Sequence, residues 1–252
     1  MVSQLIFNGR TDINVAELSL WIDMVVPPRE IKFPAIEAQT HRCFLKTHLP
    51  VDALVYSPQA KYIYIARDGR DVLWSFYHHH STFNKEGYAA INNSCSPDVE
   101  KLQPPQHDIY EYFHEWLDRD DYPLWSFWEN ISSWWKIRDL PNMKLMHFSA
   151  LKADMPGQIR EIATYLNIPI DENKWDEIIE HCSFDYMKAN PENSVPLGGA
   201  LWEGGAKTFI NKGVNGRWRD VLTDADNQKY ERMAIEKLGP ECAHWLKTGE
   251  AP

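Results

Sequence analysis

The chain has 252 residues, 44% of them apolar, which suits one globular domain with a sizeable core. No apolar run reaches the roughly 18 residues of a spanning helix, and Met1-Val2-Ser3-Gln4-Leu5-Ile6-Phe7 lacks the basic start and long apolar stretch of a signal peptide. The net charge of −10 argues against broad nucleic-acid binding, which needs a basic face, yet leaves room for one anionic ligand in a local basic cluster. Cys43, Cys95, Cys182 and Cys242 contain no C-x-x-C pair and read as reduced thiols of a cytoplasmic protein. Most of the eleven tryptophans read as core and helix packing, with an aromatic-lined acceptor pocket as the alternative.

The chain shows no repeat, low-complexity tract or interdomain linker, so residues 1–252 are expected to form a single domain. Val2, Leu5 and Ile6 are spaced like the end of an amphipathic helix that Asn8-Gly9 stops. Arg42 to Lys46 reads as a short buried strand running into the Thr47-His48-Leu49-Pro50 turn. Lys61 to Ala66, rich in β-branched and aromatic residues, is a clearer strand. A polar turn follows, and a helix is predicted over 72–80 with Asp71 as its N-cap. Residues 84–107 carry Gly, Asn, Ser and Pro without periodicity and read as a long loop. Helices are expected at about 108–118 and 124–138, and a strand over Met143 to Phe148. Ile159, Ile162, Ala163 and Leu166 fit the helical i, i+3, i+4, i+7 pattern, as do Trp175, Ile178, Ile179 and Cys182. A Gly- and Pro-containing loop then leads to a helical region from about Thr223 to Leu246, broken at Gly239-Pro240. Strands alternating with helices predict a three-layer α/β fold with a central parallel sheet.

Three constellations carry possible chemistry. At the carboxyl end of the 61–66 strand, where parallel α/β sheets bind ligands, Arg67 offers a planar donor suited to phosphate. The helix N-terminus beside it would add free N–H groups and partial positive charge, and Ser75 a hydroxyl. The alternative is a solvated turn in which Arg and Asp pair locally. Lys46 and His48 stand two apart at a strand end and so point the same way. His48 can take a proton near neutral pH and Lys46 can stabilise charge on a bridging or leaving oxygen, or the pair is simply an exposed His beside a Lys. Lys212-Gly213 combines charge with a residue that lets backbone approach a phosphate, or is an ordinary turn. His78-His79-His80 cannot all ligate one ion, because consecutive helical residues diverge by about 100°. There is no G-x-x-x-x-G-K-[ST] loop and no G-x-S-x-G elbow.

Together these segments resemble the cytosolic-type sulfotransferases that use 3′-phosphoadenosine 5′-phosphosulfate (PAPS). Lys46-Thr47-His48-Leu49-Pro50 is similar to the family's Lys-Thr-His-Leu-Pro segment. Ile65 to Val72 with Ser75 resembles its 3′-phosphate-binding segment, Cys182 to Pro191 its Thr-Ser-Phe…Met…Asn-Pro stretch, and Lys212-Gly213 with Gly216-Arg217-Trp218 its Arg-Lys-Gly…Gly-Asp-Trp motif. The wording of the motifs looks bacterial. The resemblance implies a P-loop-like α/β fold, transfer of a sulfuryl group to a hydroxyl of a small or lipidic acceptor, PAP (adenosine 3′,5′-bisphosphate) as product, and no metal. It implies His48 as general base with Lys46 assisting, and Arg67, Ser75, Cys182, Phe184, Lys212 and Gly213 around the nucleotide. The departures are Asn211 where the family typically has Arg, Cys182 for Thr, and Ser149 for a Tyr near the adenine. The family's Pro-Lys-Ser-Gly-Thr-Thr-Trp loop, which cradles the 5′-phosphosulfate, has no counterpart in these residues. That implies a sheet missing its first strand, and either a longer protein or a truncated homologue that holds only the nucleotide. The acceptor and the oligomeric state are not legible.

Overall fold

The structure, a computed structural model, describes residues 1–24, 27–94, 98, 100–120 and 125–250. Cys95 and the expected helix start at 124 fall outside these. In chain order the helices are α1 (Val2–Ile6), α2 (Val15–Leu18), α3 (Arg29–Glu37), α4 (Gly69–Thr82), α5 (Lys85–Ser94), α6 (Ile109–Asp118), α7 (Phe127–Lys136), α8 (Phe148–Ala153), α9 (Met155–Leu166), α10 (Trp175–Cys182), α11 (Phe184–Ala189), α12 (Ala206–Phe209), α13 (Asp224–Leu238) and α14 (Pro240–Thr248). The strands are β1 (Tyr62–Ala66) and β2 (Met143–His147). The chain divides into two compact units, one of residues 1–48, 81–104 and 156–213, the other of 49–80, 105–155 and 214–252.

The second unit is an α/β arrangement in which a parallel sheet is flanked by helices. β1 and β2 pair in parallel, with Tyr64 opposite Leu145 and Ala66 opposite His147. The strand period of two sends Tyr62 and Tyr64 to one face, where both rings meet Trp134 of α7 at 5.7 and 5.5 Å. Tyr64 also donates to Asn130 Oδ1 at 2.9 Å. Ile65, on the other face, is 50% exposed. The core joins Leu73 and Trp74 of α4, Tyr112, Phe113 and Trp116 of α6, Trp128 and Trp135 of α7, and Tyr230 and Trp245 of α13 and α14. Most of these aromatic side chains therefore pack in the interior, as expected.

Two boundaries in this unit differ from expectation. α4 begins at Gly69, and Asp71 is its third residue rather than its cap. Asp68 takes that place: its backbone carbonyl accepts from Val72 N–H at 3.0 Å and its Oδ1 from Arg70 N–H at 2.9 Å. Gly69 permits the earlier start, since a Cβ there would lie 2.7 Å from the Phe127 ring and the Tyr230 hydroxyl. Phe148, expected in β2, opens α8, because the His147 side chain accepts from Ser149 N–H at 3.2 Å and turns the chain. The last helical region breaks at Gly239 as expected, with φ +77°. It starts with a capping box, Thr223 Oγ1 accepting from Asp226 N–H at 3.2 Å and the Asp226 carboxylate from Thr223 N–H at 2.9 Å. Thr223→Ala should lower stability by about 1 kcal/mol, read as a lower denaturant midpoint with an unchanged slope.

In the first unit α1 is followed by Asn8 (φ +55°) and Gly9 (φ +75°), where the chain turns against α10. α9 buries Ile159, Ile162, Ala163 and Leu166 as its pattern requires, whereas α10 buries Ile178 and Cys182 but leaves Trp175 and Ile179 half-buried. The expected loop over 84–107 is corrected: it contains α5. Asn84 Oδ1 accepts from Gly87 N–H at 2.8 Å, and Gly87 lies where a Cβ would meet Leu201 O at 2.5 Å, so tertiary packing overrides poor helix propensity. Asn92 donates to Leu102 O at 2.8 Å and accepts from Leu102 N–H at 2.7 Å. The expected strand over Arg42 to Lys46 is also corrected. Among the described residues it makes one parallel bridge, Lys46 N–H to Leu20 O at 3.1 Å and Ile22 N–H to Lys46 O at 2.9 Å. Cys43 and Leu45 are exposed, and a segment without a β-branched residue or a continuous partner builds no ladder.

Candidate functional site

Each unit carries its own group of the singled-out residues. In the second unit Arg67 follows the last residue of β1. Its Nε–H donates to Asn215 Oδ1 and its Nη2–H to Val214 O, both at 2.8 Å. Its guanidinium lies over the Phe148 ring at 4.5 Å, and Asp71 Oδ1 is 3.9 Å from Nη2. Asn215 is itself fixed, donating to Ser149 Oγ at 3.3 Å, and Asp71 Oδ1 accepts from Gly216 N–H at 2.7 Å. Two donors of the guanidinium are thus committed and one face is covered. Nη1 has no protein acceptor among the described residues and remains available to an anion.

At the start of α4 the Gly69 and Arg70 N–H groups are already engaged by the protein. Gly69, Arg70 and Asp71 are buried, so their polar atoms need internal partners. Gly69 N–H donates to the Tyr230 hydroxyl at 2.9 Å and Arg70 N–H to Asp68. Arg70, 2% exposed, is structural: it bonds Asp68 and Asn227 and lies 3.8 Å from the Trp218 ring centroid. Ser75 sits half-buried on α4, and its hydroxyl makes no hydrogen bond among the described residues.

In the first unit Lys46 and His48 do lie on one feature, the Trp21 ring. Lys46 Nζ is 4.2 Å from its centroid and the imidazole 4.3 Å. Asp23 faces the same imidazole, with Oδ2 3.7 Å from Nδ1. Desolvation, with Lys46 adding to it, lowers the His48 pKa below its ordinary value, and Asp23 opposes the shift. Desolvation likewise lowers that of Lys46, again against Asp23.

Elsewhere in that unit Ser183 caps α11, accepting from Tyr186 N–H at 3.1 Å, so that Phe184 stands as its first residue. Gly213 packs on Phe184: a Cβ there would be 2.6 Å from the ring, and φ is +61°. Both reasons restrict the position to glycine. Gly213→Ala should cost about 1–2 kcal/mol from the left-handed backbone alone, seen as a lower melting temperature. Lys212 is exposed beside it, and Cys182 is buried at the end of α10. Sequence reasoning missed Trp21, Asp23, Phe148 and Asn215. Their only signal is distance in the chain closed by folding, except for Asn215, which lies within a motif but not at a matched position.

The sulfotransferase domain family matches residues 4–240. A glycolipid sulfotransferase of Mycobacterium bovis is 24% identical over 273 residues, covering 99% of this chain and 83% of that protein. Sulfotransferase 1B1 of Mus musculus is 29% identical over 198 residues, 77% of this chain and 60% of that one. Mouse sulfotransferase SULT7A1, solved with PAP, superposes with a TM-score of 0.65 at 21% identity over 85% of this chain and 72% of its own. Retinol dehydratase, solved with retinol and PAP, gives 0.68 at 22% identity over 94% and 77%.

Proposed function

This chain belongs to the sulfotransferase family, and from that we propose that it moves a sulfuryl group from PAPS to a hydroxyl of a small or lipidic acceptor in the cytoplasm, with PAP as product. The observation that supports this best is Arg67: a guanidinium held through Nε and Nη2 and covered on one face, with Nη1 left for a phosphate. In the same unit the Ser75 hydroxyl is the second donor to the 3′-phosphate. In the other unit Lys212, Gly213, Phe184 and the neighbouring Cys182 take the nucleotide roles that the family motifs give them. The donor supplies an activated sulfuryl group on a nucleotide leaving group. His48 takes the acceptor proton and Lys46 stabilises charge on the oxygens around the transferred group. The work is positioning and charge stabilisation rather than covalent catalysis.

The general base acts in its neutral form, and the His48 pKa is lowered by desolvation. The imidazole is therefore neutral at pH 7, and kcat/KM should lose its acid limb with a midpoint below about pH 6.5, the ordinary histidine value. A midpoint above that value would contradict the assignment. The alternative is that the chain holds only the nucleotide. On that reading the chain binds PAP and transfers nothing. Transfer from radiolabelled PAPS to a panel of phenols, alcohols and glycolipids, measured beside PAP binding, separates the two. Labelled product supports the enzyme, and binding without product supports the second reading.

A further inference from the structure

Asp23 reaches His48 from 25 residues away, and its position is over-determined. Both carboxylate oxygens accept from the His48 backbone N–H at 3.2 Å, and Oδ2 lies 3.7 Å from the imidazole Nδ1. The segment that carries Asp23 is bridged to Lys46 through Leu20 and Ile22. It is also stapled by Lys32, 2% exposed, whose ammonium donates to Trp21 O at 2.8 Å, to Ile22 O at 3.3 Å and to Met24 O. A buried ammonium bound to three carbonyls of one short segment leaves that segment little freedom.

We propose that Asp23 is a positioning residue for His48, fixing its imidazole as the Nδ1–H tautomer so that the Nε2 lone pair faces the acceptor. This rests on the reading of His48 as base. A carboxylate beside Nδ1 favours a proton there, as the orienting group does in other histidine bases. In the transfer step the acceptor O–H breaks, its proton goes to Nε2, and the electron pair stays on the acceptor oxygen to form the new bond to sulfur, while the bond from sulfur to the donor's bridging phosphate oxygen breaks and PAP leaves with that electron pair. The imidazolium so produced has the Asp23 carboxylate 3.7 Å away. The charged groups facing His48 are Asp23, which favours that cation, and Lys46, which disfavours it; the Trp21 ring covers one side. The Asp23 carboxyl itself is buried, which would raise its pKa, but the nearby His48 and Thr47 side chains hold it below the usual value, so it stays charged.

The test is NMR of isotope-labelled histidine in the full chain, with His48 assigned from the H48A spectrum. The wild type should show Nδ1–H in the neutral form. Asp23→Asn keeps an oxygen for the backbone N–H but turns an amide donor toward Nδ1. It should shift the tautomer to Nε2–H, lower the His48 pKa, reduce kcat about tenfold or more and leave PAP affinity unchanged. Asp23→Glu should retain the wild-type tautomer. The same tautomer and pKa in wild type and D23N would overturn the proposal. Where D23N does not fold, a wild-type Nε2–H tautomer overturns it alone. Full turnover in H48A would remove the base reading instead, while the tautomer change would still stand for Asp23.

Discussion

Arg67→Ala should weaken PAP binding about 10- to 150-fold by calorimetry. A charge-assisted hydrogen bond is worth roughly 1.5–3 kcal/mol, and each 1.4 kcal/mol is about tenfold in affinity. The loss should appear in binding rather than folding. The 214–216 loop that Arg67 touches keeps its other ties, Asn215 to Ser149 and Gly216 to Asp71. Arg67→Lys keeps the charge but not the planar fork that bonds Asn215 Oδ1 and Val214 O while leaving Nη1 free, so it should fall between wild type and alanine. Unchanged affinity in R67A would remove the phosphate assignment and leave Arg67 as a loop anchor.

His48→Ala should reduce turnover by about 10²- to 10⁴-fold, the usual contribution of a positioned general base, and change PAP affinity little. His48 and the Lys46 that would assist it meet at Trp21, within a different compact unit from Arg67. Mutations in the two groups should therefore separate by phenotype, one in Kd for the nucleotide and the other in kcat. Equal losses in both for H48A would mark a structural histidine, one that mainly holds Trp21 and Asp23 in place.

Periodic segments were readable because their pattern and their burial have the same cause. The apolar stripe Ile159, Ile162, Ala163, Leu166 is what α9 buries, and Tyr62 to Ala66 is the strand that ends at Arg67. The errors fall where a distant partner decides a local structure. Asp71 looks like a cap by sequence, but Asp68 is closer to the strand and already bonds Arg70, while Asp71 is occupied by Gly216. Residues 85–94 have no apolar stripe, yet Asn84 and the contact of Gly87 with Leu201 make them a helix. The motif residues of the candidate site were legible because they are contiguous in the chain. Their supports were not: Trp21 and Asp23 reach Lys46 and His48 through a ring, a bridge and backbone hydrogen bonds, and Lys32 holds that segment through three carbonyls, none of which spacing announces. The Gly69 and Arg70 amides at the start of α4 are engaged for a related reason, since burial forces them to find internal partners.

On the proposed function, the chain binds the nucleotide of sulfuryl transfer through a grip on its 3′-phosphate. The direct measurement is a calorimetric titration of PAP beside adenosine 5′-monophosphate, on wild type and R67A. The expected result is PAP binding at least about tenfold tighter than the monophosphate in wild type, with that advantage largely lost in R67A. Equal affinity of wild type for the two nucleotides, or no binding of PAP, would contradict it.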